Sequence, residues 1–150
     1  MNNSKSHKSE AIRYMKLSDH LLTMTYPLVE DPKLLKVVLK NLFLSIKHAL
    51  SAFYENERLG YKTDNFNILL DRCRKKFKKY NISMGYVEYI KKMYNLLYNN
   101  KKADVEFIRK DKFVFSTDNY KLNIISKKEM KDYIIKGKLF LKEILGVIKW

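Results

Sequence analysis

The sequence predicts a predominantly all-α fold, an antiparallel bundle of about five helices with a β-hairpin or extended flap between the fourth and the fifth. Only four Gly and two Pro occur in 150 residues, too few turn-forming residues for a sandwich or barrel of many short strands. Apolar side chains recur three and four apart over most of the chain, the spacing that gathers them on one helix face. Residues 105–125 lack that helical period, and alternation replaces it over parts of the stretch. At 46% hydrophobic residues, a chain of this length can bury one core. No Pro-, Gly- or Ser-rich linker divides it, so one domain over residues 1–150 is expected, with 1–8 as a frayed tail.

The first helix is expected from Ser9 to Thr25, with Ile12, Met15, Leu21, Leu22 and Met24 as apolar positions. Pro27 disfavours helical geometry at Tyr26 and should end it. Asp31 then caps a second helix with Pro32 at its first position. Its stripe is Leu35, Leu39, Leu42, Ile46, Ala49 and Phe53, joined by Leu34, Val38, Phe43 and Leu50, and Gly60 should stop it near Leu59. Thr63 or Asp64 caps a third helix carrying Phe66, Leu69 or Leu70, Cys73, Phe77 and Tyr80. Ser83 caps a fourth, to about Asn99, with Tyr86 or Val87, Ile90, Tyr94 and Leu97 inward and Lys91 and Lys92 outward.

Alternation in 112–116 and 120–124, with turn chemistry at Thr117-Asp118-Asn119, predicts the hairpin. An isolated hairpin is marginally stable, so its apolar face should rest on the bundle. Ser126 and Glu129 form a capping box opening the fifth helix, whose seam is Met130, Ile134, Gly137, Leu141, Ile144 and Ile148. Gly137 costs about 1 kcal/mol of helix propensity relative to Ala. A closely approaching neighbour is the expected reason for it.

The formal net charge is +15. Residues 1–60 carry nine cations and six acids, whereas 61–150 carry 22 and 10, so the charge is directed rather than uniform. Its densest part is the run from Arg72 to Lys79. With Cys73 and Phe77 turned inward, Arg72, Arg74, Lys75, Lys76, Lys78 and Lys79 should spread over one solvated helix face. Clustered cations gain affinity by displacing the counterions of phosphates, which points to a nucleic-acid backbone. Lys supplies 26 of the 31 cations, so biased composition is the competing explanation. Tyr86, Tyr89, Tyr94 and Tyr98 interleave with Lys91 and Lys92, and Phe113, Phe115 and Tyr120 lie among Lys110, Lys112 and Lys121. Rings beside cations can stack unpaired bases, with core packing or a protein interface as their other roles.

Cys73 is the only cysteine, so an intramolecular disulfide and a Cys-cluster zinc site are excluded. On its apolar stripe it reads as an inert thiol rather than a nucleophile paired with His20 or His48. His7, His20 and His48 are far apart in sequence with no i, i+4 partner, so no metal site is expected. Glycines stand singly at 60, 85, 137 and 146, which excludes a Gly-rich phosphate loop. No cofactor or small-molecule ligand is implied. His48 shares a polar line with Asn41 and Ser45, either an interior hydrogen-bond network or the floor of a small pocket. Without an apolar run of about 20 residues or a secretory leader, a soluble cytoplasmic protein is expected.

Arg13 and His20 are the catalytic candidates: two helical turns apart, with Lys16 nearby, they offer acid-base chemistry and charge stabilisation for RNA cleavage. A solvated helix face explains them equally well. A small helical bundle with an Arg, six intervening residues and a His resembles the HEPN superfamily. Its ribonuclease members use an Arg and a His five to seven positions on, assembled across a dimer. There the motif lies late in the bundle, whereas Arg13 and His20 lie on the first helix, and Arg109 has no His following it. The segment Ser18–Val29, followed by Asp31–Leu35, is also similar to helical proteins of archaea, a likeness that implies no activity. The expected function is non-catalytic nucleic-acid binding. The alternatives are homodimerisation through the Gly137 seam or the hairpin and, third, a HEPN-like ribonuclease.

Overall fold

A computed structural model describes residues 4–101, 105–116 and 122–148, and the architecture is the predominantly helical one expected. Five long helices, α1 (Ser4–His20), α3 (Lys33–Asn56), α4 (Phe66–Phe77), α5 (Gly85–Lys101) and α6 (Lys127–Gly146), surround one core, with the four-residue α2 (Tyr26–Val29) extending the first. Between α5 and α6 the chain forms an antiparallel sheet in the order β1 (Val105–Arg109), β2 (Lys112–Ser116), β3 (Leu122–Ser126).

α1 begins at Ser4, so residues 4–8, expected as tail, are helical. His7 docks on α3 and gives that turn a reason to order. The far end of α1 also departs from expectation. Instead of stopping before Pro27, the chain widens into a π-helical segment at Leu21–Thr25, closed by the Tyr26 N–H on the Leu21 carbonyl, and runs on through α2. A proline lacks the N–H for an i−4 bond and its ring crowds that carbonyl. The wider turn accommodates both defects, a common origin of π-bulges and kinks. Glu30, left-handed at φ 53°, ends the helix.

α1 and α3 run antiparallel through small residues: the Ser18 hydroxyl donates to the Val38 carbonyl at 2.8 Å and the Ser45 hydroxyl to the Ala11 carbonyl at 2.6 Å. All four residues are fully buried. The stripe expected on α3, Leu35, Leu39, Leu42, Ile46, Ala49 and Phe53, has no exposed surface. Burying each of its large members contributes roughly 1.5–3 kcal/mol. The Asp31 carboxylate accepts the Lys33 N–H at 3.0 Å. The α3 helix ends at Asn56, three residues before Leu59, and a left-handed Arg58 precedes Gly60 at φ 131°. For α4 the cap is Asn65, which accepts the Ile68 N–H at 3.1 Å, and not Thr63 or Asp64; Thr63 instead accepts the Asn65 N–H. A β-region backbone at Asn65 places its short amide over the first turn, geometry that three adjacent capping residues leave undecided in sequence.

On α6 the Ser126 hydroxyl accepts the Glu129 N–H at 3.1 Å, and the whole seam from Met130 to Ile148 is buried. Gly137 is where α1, α3 and α5 converge: a Cβ there would stand 2.9 Å from Met15 Cε and Leu42 Cδ1 and 3.0 Å from the Tyr89 hydroxyl. The seam is therefore used inside the chain, not held out to a partner.

The predicted hairpin is real in its strands, while the turn at 117–119 and Tyr120 lie outside the described residues. A further hairpin, β1–β2, turns at Lys110–Asp111 with Lys110 at φ 42°. Phe113 pairs with Ile125, and both are buried with Phe115 on the face toward the bundle. Leu122 and Ile124, expected on the apolar face, point outward, since pairing with Ser116 and Val114 puts them opposite. Tyr26 secures the sheet to the first helix by donating to Asp111 Oδ1 at 2.9 Å. Burial, then the Asp111 bond, pushes that phenol up to about 12. Among the described residues no helix is long and apolar enough to cross a membrane.

Candidate functional site

Lys36, Lys40 and Lys47 recur at i, i+4 and i+11 on α3, within about 40° of one line along the helix at 100° per residue and spanning about 16 Å at 1.5 Å rise. They border a groove of about 490 Å³ whose opposite wall is α5, with Tyr94, Leu97 and Tyr98. Aromatic rings pave it. Phe43 stands 4.8 Å from Phe66 and 5.7 Å from Tyr94, Tyr94 is stacked on Phe66 at 5.0 Å and 18°, and Tyr98 is stacked on Tyr94 at 6.3 Å and 21°. Burial grades along the stack: Phe66 is buried, Phe43 and Tyr94 are half-buried, and Tyr98 is 45% exposed. Lys36 also lies over the Phe113 ring at 4.6 Å, tying the groove to the sheet. Among the described residues no carboxylate lines this groove. Cations beside an open stack of rings provide phosphate contacts and a surface for planar bases, the pairing found in single-strand binders.

Sequence reasoning named Tyr94 and Tyr98 but missed the three lysines of α3. Their signal was present as the only cations between residues 34 and 54 of a helix otherwise rich in apolar residues. Of the other interleaved tyrosines, Tyr89 is buried and donates to the Tyr133 carbonyl at 2.6 Å, while Tyr86 packs on Phe140. Phe113 and Phe115 are core residues. Tyr89, Phe113 and Phe115 are buried, and Tyr86 is half-buried.

The basic run on α4 divides instead of forming one free surface. Arg72 donates to the Tyr54 hydroxyl at 2.5 Å, Arg74 and Lys75 share Asp71 at 2.7 and 3.5 Å, and Lys79 reaches Glu57 at 3.6 Å and covers the Tyr80 ring. Lys76 and Lys78 are exposed and make no ion pair among the described residues. Asp71, immediately before the run, is three and four residues from its partners, the spacing at which helical side chains meet. A sequence window opening at Arg72 hides it.

Arg13 and His20 are not drawn into one cluster within the chain. The Arg13 guanidinium donates to Glu10 at 2.7 Å and lies 4.3 Å over the Tyr14 ring, whereas His20 is exposed at the start of the π segment. Cys73 pairs with neither His20 nor His48; its thiol donates to the Leu50 carbonyl at 3.4 Å, and burial pushes its pKa up.

The histidines, expected to lie apart, include one close pair. His7 Nδ1 and His48 Nδ1 are 2.9 Å apart, and His7 Nε2 is 3.5 Å from Glu55 Oε1. Tyr14 stacks on His48 at 5.5 Å. The polar line on α3 is thus satisfied residue by residue, Asn41 on the Val37 carbonyl, Ser45 on Ala11 and His48 on His7, and His48 also borders a cleft of about 270 Å³. Among the described residues no three His, Cys, Asp or Glu side chains are placed to hold a metal ion.

Burial, then the charge of His7, lowers the His48 pKa; Glu10 opposes this and Lys47 and Arg13 reinforce it. The fold therefore prefers neutral His48, and the unfolded chain binds more protons between the lowered pKa and the ordinary one near 6.5. An N···N hydrogen bond also needs one bare nitrogen. The contribution is complete above about pH 6.5 and lost as the pH falls toward the folded-state value. Thermal melts should show a lower Tm at pH 5 than at pH 7.5, and His48→Gln should narrow the gap. An undiminished gap in that variant would assign the pH dependence elsewhere.

Comparison of the chain with protein-family models, with curated proteins and with solved structures finds no match.

Proposed function

We propose that this protein binds single-stranded nucleic acid in the groove between α3 and α5. The observation that carries the reading is the meeting of the aromatic stack, Phe43, Tyr94 and Tyr98, with the line of Lys36, Lys40 and Lys47 in a groove that has no carboxylate among the described residues lining it. Bases stack along the rings and phosphates lie against the lysines. Lys76 on α4 and Lys78 just after it add long-range attraction rather than the contact surface. Fluorescence anisotropy with labelled single strands of about twelve nucleotides tests it. Binding should fall steeply between about 50 and 200 mM salt. Tyr98→Ala should weaken it by about fivefold or more, because one stacked base is worth about 1–3 kcal/mol. No binding at low salt removes the proposal.

A second reading, homodimerisation, is favoured by Ile135 and Leu139, exposed by 59% and 53% one turn apart on α6. A strictly monomeric mass in light scattering ends it.

A further inference from the structure

The α5 helix separates two grooves. Tyr94, Leu97 and Tyr98 face the aromatic one, while Asn95, Leu96 and Asn99 face a second of about 630 Å³, closed on its far side by β3 and the first turns of α6. The two linings differ in chemistry. The second presents the side-chain amides of Asn95 and Asn99 from α5, with Glu88 and Glu129 as further acceptors. Leu122 and Ile124, the outward residues of β3, give it apolar surface at 59% and 40% exposure. Lys91 and Lys92 stand on the α5 side.

Tyr133 belongs to the same lining and is 6% exposed. Its ring is held edge-on to Tyr89 at 5.6 Å, and the Tyr89 hydroxyl donates to its carbonyl, yet its own hydroxyl is buried with no partner among the described residues. Leaving a buried hydroxyl without a partner costs about 1–3 kcal/mol, so one that persists calls for an explanation. Burial, then the nearby Glu129, pushes this phenol up to about 12. It remains a donor at neutral pH.

We infer that this second groove receives one base of the bound strand, turned out from the stack beside Tyr94, and selects a base bearing an exocyclic amino group. The inference rests on the single-strand reading above. Carboxamides carry both donors and acceptors and pair in two places with a base edge, and a Glu accepts from the amino group of cytosine. Uracil puts a carbonyl where cytosine has that amino group, and this carbonyl meets the Glu88 and Glu129 carboxylates without a hydrogen to share. Leu96, Leu122 and Ile124 are the apolar neighbours of the ring. The two carboxylates argue against a phosphate inside this groove, which leaves phosphates to Lys91 and Lys92 at its side.

Labelled oligocytidine and oligouridine of equal length make the test, because the two pyrimidines differ where the amino group stands. The expected result is about tenfold tighter binding of oligocytidine, the size of one good base-edge pairing. Glu88→Gln should remove most of that difference, because a carboxamide can donate to the uracil carbonyl where a carboxylate cannot. Tyr133→Phe is the control: it should spare the preference and leave the Tm equal or higher, since it deletes an unsatisfied buried group that does not open onto the groove. Equal binding of the two oligomers, or an unchanged preference in Glu88→Gln, overturns the inference and leaves the stacking groove standing. Absence of binding to either oligomer overturns both.

Discussion

Replacing Lys40 and Lys47 together by Glu is expected to lower affinity for a single strand by at least about tenfold at 50 mM salt and to flatten its salt dependence. Each phosphate contact on a single strand contributes about 0.7 to the slope of log affinity against log salt, so two lost contacts remove about 1.4. Reversed charge adds repulsion to that loss. Both lysines border the groove and lie outside the core, Lys40 exposed and Lys47 half-buried, so the fold should survive, and circular dichroism checks that. The same exchange at Lys76 and Lys78 should act more weakly, since those cations stand beside an α4 surface already carrying Asp71. If that second pair abolishes binding and the first does not, the strand lies along α4 and the aromatic groove is not its site.

Gly137→Leu should destabilise the fold by about 3 kcal/mol, at the upper end of ordinary overpacking. The first added carbon already meets Met15, Leu42 and Tyr89 at 2.9–3.0 Å, and the Tyr89 hydroxyl is fixed by its bond to the Tyr133 carbonyl. Gly146, at the end of the same helix, is the control: nothing lies within 4 Å of a Cβ there and its φ is not positive. Gly146→Ala should therefore be neutral or stabilise by up to about 1 kcal/mol. Urea melts of both variants give the comparison. A Gly137→Leu chain as stable as the parent would mean that the three neighbours can withdraw, and that packing does not explain the glycine.

Helix positions were legible wherever one face meets the core along its whole length. The stripe of α3 and the seam of α6 follow from spacing alone, because a 3.6-residue period with a single buried side leaves no other placement. Legibility failed where a neighbour distant in sequence decided the outcome. Pro27 should have ended the first helix, but the chain widens by one residue per turn and continues with Tyr26 anchored on Asp111. The outward turn of Leu122 and Ile124 depends on a register that moves every side chain across the sheet when shifted by one residue. β1 carries a charged residue at each end of its apolar centre, Glu106 and Arg109, and has its pairing from β2 rather than from its own pattern.

The candidate site divides in the same way. Its cations and its rings could be counted in the sequence, and the excess of charge pointed to a polyanion before any geometry was known. Which cations meet aromatic surface was a question for packing: Asp71, Glu57 and the Tyr54 hydroxyl engage most of the run from Arg72 to Lys79, while Lys36, Lys40 and Lys47 line a groove with Tyr94 and Tyr98. By itself the sequence determined a basic helical bundle, the buried face of its main helices and the close approach at Gly137, all consequences of local period and residue size. Only the tertiary structure decided where charge and aromatic surface coincide, because that depends on the packing of α3 against α5, two helices separated by more than 25 residues of chain.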